Sequence, residues 1–475
     1  MPLSYRQLHD RRRRNILKKK KAEHSYAAFS EILIARELNR LAETVYKMKF
    51  DHQSSYLEFA KLLYEYNKIP LHQGEKIRIH FLFFAPSFWP ACESVYRAFS
   101  QDADVEVGVV YLHADPSRRV DTQRSGGRAF LEENNIPYID YKDYDIAEQK
   151  PHIIVYQTPY NDVYEEFPGL KCDRVTKLGV RAIYISYGIE YDKSVNTNHL
   201  VNIHHHHYVQ CLAWKVFVMH NDIKDSFAQY CRLGSSHVEA MGAPKMDAYF
   251  HKKTSSVIDK IKEYADDRKV VAIFIHHPNN HESLYKFRMH SIQFSEHIKI
   301  LNYLSKQHDF YFVVTLHPRF LTTAVRKLYT TSNMLDEFKN IIEQSSNIYL
   351  YSSDYQNLVS LADAFITEQS SVMIEMGMSG KPVLYLYDEP LPLKNFAEQI
   401  AESYYHGKTV DDVYDYIDLL RTGKDVLREK RNAIKQKFLE THDGDTGYRI
   451  YKNIKESLLS ECRASNNTVP GVDSI

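Results

Sequence analysis

At 475 residues, with 44% hydrophobic and 26% charged side chains, the chain exceeds one ordinary core, which points to two large domains plus an accessory segment. Formal net charge is zero, but residues 1–21 hold nine Lys or Arg against one Asp, leaving 52 basic and 60 acidic side chains elsewhere; that acidic body excludes general nucleic-acid binding. Cys92, Cys172, Cys211, Cys231 and Cys462 are scattered without CxxC spacing, which argues against a disulfide framework or a zinc site and for a reducing, cytosolic setting.

Arg11 to Arg14 and Lys18 to Lys21 form two basic blocks in a polar leader, read as a tail over 1–22. Such a tail is either a solvated arm or an attachment to an anionic membrane surface, where each basic residue contributes roughly 1 kcal/mol. The second reading places the protein in the cytoplasm, peripheral at the inner face of the cell membrane. No apolar run is long enough to span a bilayer, and no signal-peptide core follows the basic start.

From Glu23 to Asn67 there is neither Gly nor Pro. Ile34, Leu38, Leu41, Val45 and Met48 recur in steps of four and three, and the register passes His52 and Ser55 before resuming at Phe59, Leu62 and Tyr66. The expectation is a helical hairpin over 23–70, or one long interrupted helix, packed on the body or on another copy in a homo-oligomer. Ser55 and Glu58 are spaced as a capping box for its second helix.

Two series of short apolar runs follow. Ile77 to Ala85, Val105 to Tyr111, Ile153 to Tyr156, Ala182 to Ile185, Val216 to Met219 and Val238 to Met241 form the first. Val270 to His276, Phe310 to Leu316, Ile348 to Tyr351, Ala364 to Thr367 and Val383 to Tyr387 form the second. Their continuous rather than alternating hydrophobicity predicts strands covered on both faces, and so an α/β fold of two tandem doubly wound Rossmann-like domains over 75–250 and 255–440. A closing helix over 441–462 and a tail over 463–475 complete the chain. Ligands of such sheets bind beyond the carboxyl ends of the strands.

Polar motifs fall at those ends. Phe310 to Leu316 runs into His317, Pro318 and Arg319, an imidazole and a guanidinium suited to phosphate or to an ordinary surface turn. Ala364 to Thr367 runs into Glu368, Gln369, Ser370 and Ser371 and then a helical stretch; the serines are either a phosphate seat at a helix start or a plain N-cap. His276, His277, Pro278 and His281 end a third strand, lining a cleft or forming a polar loop. The run His204 to His207 invites a metal, but consecutive residues do not easily share one tetrahedral site, so no metal is expected.

Four segments in order resemble the CDP-glycerol glycerophosphotransferases and related polyol-phosphate transferases that build teichoic-acid-like polymers. Gly242-Ala243-Pro244-Lys245 with Asp247 is similar to the family's G-x-P-R-x-D, and Thr315 to Arg319 to its H-P strand end. Thr367 to Glu375, TEQSSVMIE, is similar to T-D-Y-S-S-V-M-F-D, with Gly380-Lys381-Pro382 after it; Asp443-Gly444 before Tyr448-Arg449 resembles the closing D-G segment. The resemblance spans Gly179 to Ile454 and implies the GT-B fold and an enzyme that moves glycerol or ribitol phosphate from a CDP-activated donor to an acceptor hydroxyl, releasing CMP, in teichoic acid or capsule-like polymer synthesis. It implies donor-diphosphate contacts for His317, Ser370 and Ser371, with Arg319 beside them and Glu375 reaching ribose hydroxyls, and no cofactor; Thr367 and His277, at strand ends of the same sheet, are further substrate-binding candidates.

The family's first-domain W-H-G, whose His resembles a base, is replaced here by Ile185-Ser186-Tyr187-Gly188-Ile189-Glu190. Tyr187 and Gly188 then face the acceptor, and Glu190 is the base nearest in sequence, ahead of Asp192, His199 and His204 to His207. Two other functions stay open on the sequence: a GT-B glycosyltransferase using a nucleotide sugar, and a non-catalytic nucleotide-binding partner protein.

Overall fold

The structure is a computed structural model in which residues 54–113, 126–160, 166–193, 205, 207–251, 256–276, 291–317, 320, 330–352 and 355–467 are described. The first sheet contains β1 (Ile77–Phe83), β2 (Val105–Tyr111), β3 (Ile139–Asp140), β4 (Ile153–Tyr156), β5 (Arg181–Ile185), β6 (Lys215–Val218) and β7 (Val238–Ala240). The second contains β8 (Lys269–Ile275), β9 (Phe310–Leu316), β10 (Ile348–Tyr351), β11 (Ala364–Thr367), β12 (Val383–Leu386) and β13 (Tyr405–Gly407). Helices used below are α1 (54–67), α2 (Asn221–Tyr230), α3 (Phe294–Leu304), α4 (Val372–Gly377), α5 (Asn395–Ala401), α6 (Arg428–Leu439) and α7 (Thr446–Asn467).

The sheet orders are β3-β2-β1-β4-β5-β6-β7 and β10-β9-β8-β11-β12-β13. Every pairing between these strands is parallel. Each sheet therefore reverses direction between its first and fourth strands, and the crevice opened there is where doubly wound sheets take ligands. Strand interiors such as Val271, Ile273, Ala364 and Ile366 are buried on one face while Val270, Ala272 and Phe365 are buried on the other. This two-sided burial is why the sequence reads as unbroken apolar runs. Two strands end one or two residues before the apolar runs do: β1 stops at Phe83, ahead of Phe84-Ala85-Pro86, and β8 at Ile275, ahead of His276. The edge strands β3 and β13, two and three residues long and only half-buried, escape the apolar pattern.

The described helix at the N-terminal end, α1, buries Leu57, Ala60 and Tyr64 against the first domain and leaves Phe59, Leu62 and Tyr66 at 54%, 69% and 89% exposure. It begins no later than Ser54, so Ser55 lies inside the helix rather than at its cap. The upstream half of the expected hairpin and the basic tail lie outside the described residues. Behind α1, the Ile69 N–H donates to the Gly179 carbonyl at 3.0 Å. Gly179 has φ +81°, and a Cβ there would stand 1.7 Å from the Asn67 carbonyl oxygen, so only glycine admits this crossing.

α7 returns to the first domain. Arg181, buried at the start of β5, donates to the Glu461 carboxylate at 2.8 and 3.1 Å, and the Trp214 indole N–H donates to its other oxygen at 2.8 Å. Among the described residues no helix is long and apolar enough to cross a membrane.

Candidate functional site

Three strands of the second sheet deliver polar side chains to one place at its carboxyl edge. β8 ends into His276, β9 into His317 and β11 into Glu368, and β8 and β11 are the pair at the switch point. The His317 N–H donates to the Ile275 carbonyl at 2.9 Å, which carries the ladder one step past the strands. The two imidazoles meet nearly edge-on, with ring centroids 4.8 Å apart.

Glu368 anchors this edge. One carboxylate oxygen accepts the His276 N–H at 2.8 Å and lies 3.2 Å from Nε2 of His297 on α3; the other accepts the Ile292 N–H at 3.2 Å. A fully buried carboxylate is tolerable only when its lone pairs are taken up in this way. The Thr367 hydroxyl is spent on the Glu368 carbonyl, so Thr367 shapes the turn from within.

Ser370 and Ser371 sit in that turn, and α4 starts behind them. Ser371 occupies the N-cap position, but its backbone is already helical and its side chain makes no cap bond. Ser370 Oγ is buried without a partner among the described residues. The plain N-cap expectation therefore does not describe either serine. Arg319 and His277, together with Pro318 and His281, lie outside the described residues.

Glu375 corrects an expectation. It is 0% exposed, 2.7 Å from the Lys245 ammonium, and accepts from the Tyr249 and Tyr355 hydroxyls at 2.8 and 3.0 Å. Its carboxylate is committed to the domain junction and is not presented to a ribose.

Across the boundary, the first sheet contributes the turn at Ser186 to Glu190. Ser186 Oγ donates to the Gly188 carbonyl at 2.8 Å, the Tyr187 N–H donates to the Gln157 carbonyl at 2.9 Å, and the Tyr187 ring stacks on Phe88 at 3.9 Å. A cleft along this edge is lined by Ser186, Gly188, Glu190, Gln210, Met219 and Lys245.

Glu190 also departs from expectation. One oxygen is 2.9 Å from the Lys394 ammonium and the other 3.2 Å from Nε2 of His205. Burial works to raise its pKa, but His205 and Lys394 outweigh it and hold the carboxyl below its ordinary range. Lys394 comes from the second domain and also donates to the Ser226 hydroxyl of α2 in the first. Around it the Lys394 N–H donates to the Tyr191 carbonyl and the Lys193 N–H to the Pro392 carbonyl, both at 2.8 Å, and the Phe396 N–H donates to the Asp222 carboxylate at 3.0 Å. Glu190 is thus part of a clasp between the domains, with Lys394 beside one oxygen and His205 beside the other. His207 lies apart from this pair, against the Tyr160 ring; His199, His204 and His206 lie outside the described residues.

The junction joins three of the segments singled out in the sequence. Lys245 pairs with Glu375; Asp247 accepts the N–H groups of Thr446 and Gly447 at 3.1 and 2.8 Å, capping α7 from outside; and the Ala243 N–H donates to Nε2 of His442 at 3.2 Å. Gly242, at φ +98°, leaves the room that His442 and Thr446 occupy.

The sequence profile described as CDP-Glycerol:Poly(glycerophosphate) glycerophosphotransferase matches residues 185–456, more than half of the chain. The chain belongs to this glycerophosphotransferase family. The match begins at the last residue of β5 and takes in the clasp, the second sheet and the first half of α7. No curated protein matches the sequence.

Solved structures share the fold. UDP-GlcNAc 2-epimerase from Neisseria meningitidis, bound to UDP-GlcNAc, is 14% identical over 80% of this chain and 100% of that chain, with TM-score 0.56. The S. aureus MnaA–UDP co-structure is 16% identical over 80% and 97%, with TM-score 0.54. The wall teichoic acid polymerase TagF, soaked with CDPG, is 12% identical over 90% of this chain and 98% of that chain, with TM-score 0.51. At these identities the likeness is one of architecture, and the glycerophosphotransferase fold here is GT-B.

Proposed function

We propose that this glycerophosphotransferase moves glycerol phosphate from CDP-glycerol to an acceptor hydroxyl during synthesis of a teichoic acid or related cell-surface polymer. The acceptor oxygen bonds to the phosphorus that bears glycerol, the diphosphate bridge breaks, and CMP leaves. The observation that carries the reading is the family match across 185–456, which spans both edges of the cleft. The fold shared with TagF, a wall teichoic acid polymerase solved after a CDPG soak, supports the polymer class.

His317 and His276 offer imidazoles, and Ser370 and Ser371 hydroxyls, where charge builds up on the departing phosphate. Donors fixed before the reaction lower the barrier without reorganising during it. Arg319 and His277 are proposed as further contacts to the same diphosphate, and Tyr187 and Gly188 as the wall facing the acceptor. The clasp contacts of Glu190 support a role in holding the domains in register.

Purified protein given CDP-glycerol, CDP-ribitol and a panel of sugar nucleotides is expected to release CMP from a CDP-polyol when an acceptor is present. Release of a nucleoside diphosphate from a sugar nucleotide instead would overturn the donor class. The basic blocks in residues 1–21 support docking on anionic lipid at the membrane's inner face. Cosedimentation with anionic vesicles, lost on deleting residues 1–21 or on using neutral vesicles, is expected; cosedimentation indifferent to both would end that part of the reading.

A further inference from the structure

Three hydroxyls flank the Glu368 turn with no hydrogen-bond partner among the described residues: those of Ser291, Ser370 and Tyr385. Ser291 is fully buried and precedes Ile292, whose N–H goes to Glu368. Ser370 follows Glu368 by two residues. Tyr385, 3% exposed, stands on β12 in register with Thr367. Its side chain shares the apolar cluster of Met373 and Ile374, on the sheet face that α4 covers, so the ring flanks the helix that follows the serine turn. Burial first, then Tyr387 and Glu368, push its pKa well above that of an ordinary phenol, so the hydroxyl keeps its proton. Its ring packs beside those of Tyr387 and His406, with centroids 4.9 and 5.9 Å away.

Buried hydroxyls left unpaired cost free energy; Ser370 immediately precedes the N-cap residue of α4 and Tyr385 lies on the sheet face that α4 covers, so one ligand at that turn would answer both. Glu368 does not relieve them, because its oxygens already serve two N–H groups and His297. What the hydroxyls have to give is protons, and the ligand that answers them is an acceptor-only group. We propose that Tyr385 is a further donor-substrate binding residue, its O–H donating, together with that of Ser370, to oxygens of the phosphate being transferred. This rests on the transferase reading above.

The test compares Tyr385→Phe with wild type in two measurements: thermal unfolding without ligand, and CDP-glycerol affinity by calorimetry. Removing only an unpaired oxygen leaves the unliganded unfolding temperature unchanged or higher, while affinity falls about tenfold or more, the range for a hydrogen bond to a charged group. Ser370→Ala is expected to move both quantities the same way. Wild-type affinity in Tyr385→Phe overturns this inference alone. So does a loss of affinity accompanied by a lower unfolding temperature, since the hydroxyl would then have a partner within the protein. Wild-type protein that fails to bind CDP-glycerol overturns the transferase reading and this inference with it.

Discussion

Glu368 shows how much one side chain sets at this site. The family pattern quoted above has Asp at its position, one methylene shorter, and the longer arm here reaches two backbone N–H groups and His297. His276 is thereby fixed through its backbone, leaving its imidazole beside that of His317. Two histidines elsewhere in the first domain set a different property. Burial, with Arg78 adding to it, holds both His80 and His152 down to about 4. The unfolded chain takes up protons near pH 6.5, so it binds more of them than the fold does between there and about pH 4. Their contribution to stability is complete above pH 6.5 and is lost as pH falls toward 4, by at most roughly 1.4 kcal/mol per pH unit for each ring. Urea unfolding at pH 7 and pH 5 measures the drop, and His80→Gln is expected to make it shallower even if that variant is less stable overall.

Among the elements, the junction helices and turns explain why separated motifs accompany one another. Lys245 and Glu375 are both buried, 2.7 Å apart, and join the segment after β7 to α4, while Asp247 caps α7. A buried pair adds little over an apolar pair of the same shape, but removing one partner leaves an uncompensated charge. Lys245→Met is therefore expected to cost about 3–5 kcal/mol, and Lys245→Met with Glu375→Gln to recover much of it. Chemical denaturation of the two variants checks this; equal losses in both would show that Lys245 acts through packing alone. Glu461 does similar work on α7, where Arg181, Trp214 and Lys68 converge on one carboxylate.

For the molecule as a whole, strand positions were largely legible because both faces of each central strand are buried, which leaves unbroken apolar runs such as Phe310 to Leu316. β3 and β13 were not, being short and half-buried. For the candidate site, what was legible is local order: His317, Glu368 and the serines follow strands directly. Glu190 and Glu375 were misread because their partners, Lys394 and Lys245, come from the other domain, a distance in sequence that no local pattern bridges. Tyr385 was read only as part of an apolar strand, and its unpaired hydroxyl becomes visible once β11 and β12 are paired. The second sheet's carboxyl edge is the proposed seat for the diphosphate of a CDP-polyol. The most direct measurement is CMP release from CDP-glycerol, in the presence of a polyol-phosphate acceptor, by wild type and His317→Ala. Wild type is expected to release CMP and the variant to lose about a hundredfold or more of that activity; equal release by both proteins, or none by wild type, would rule out this seat.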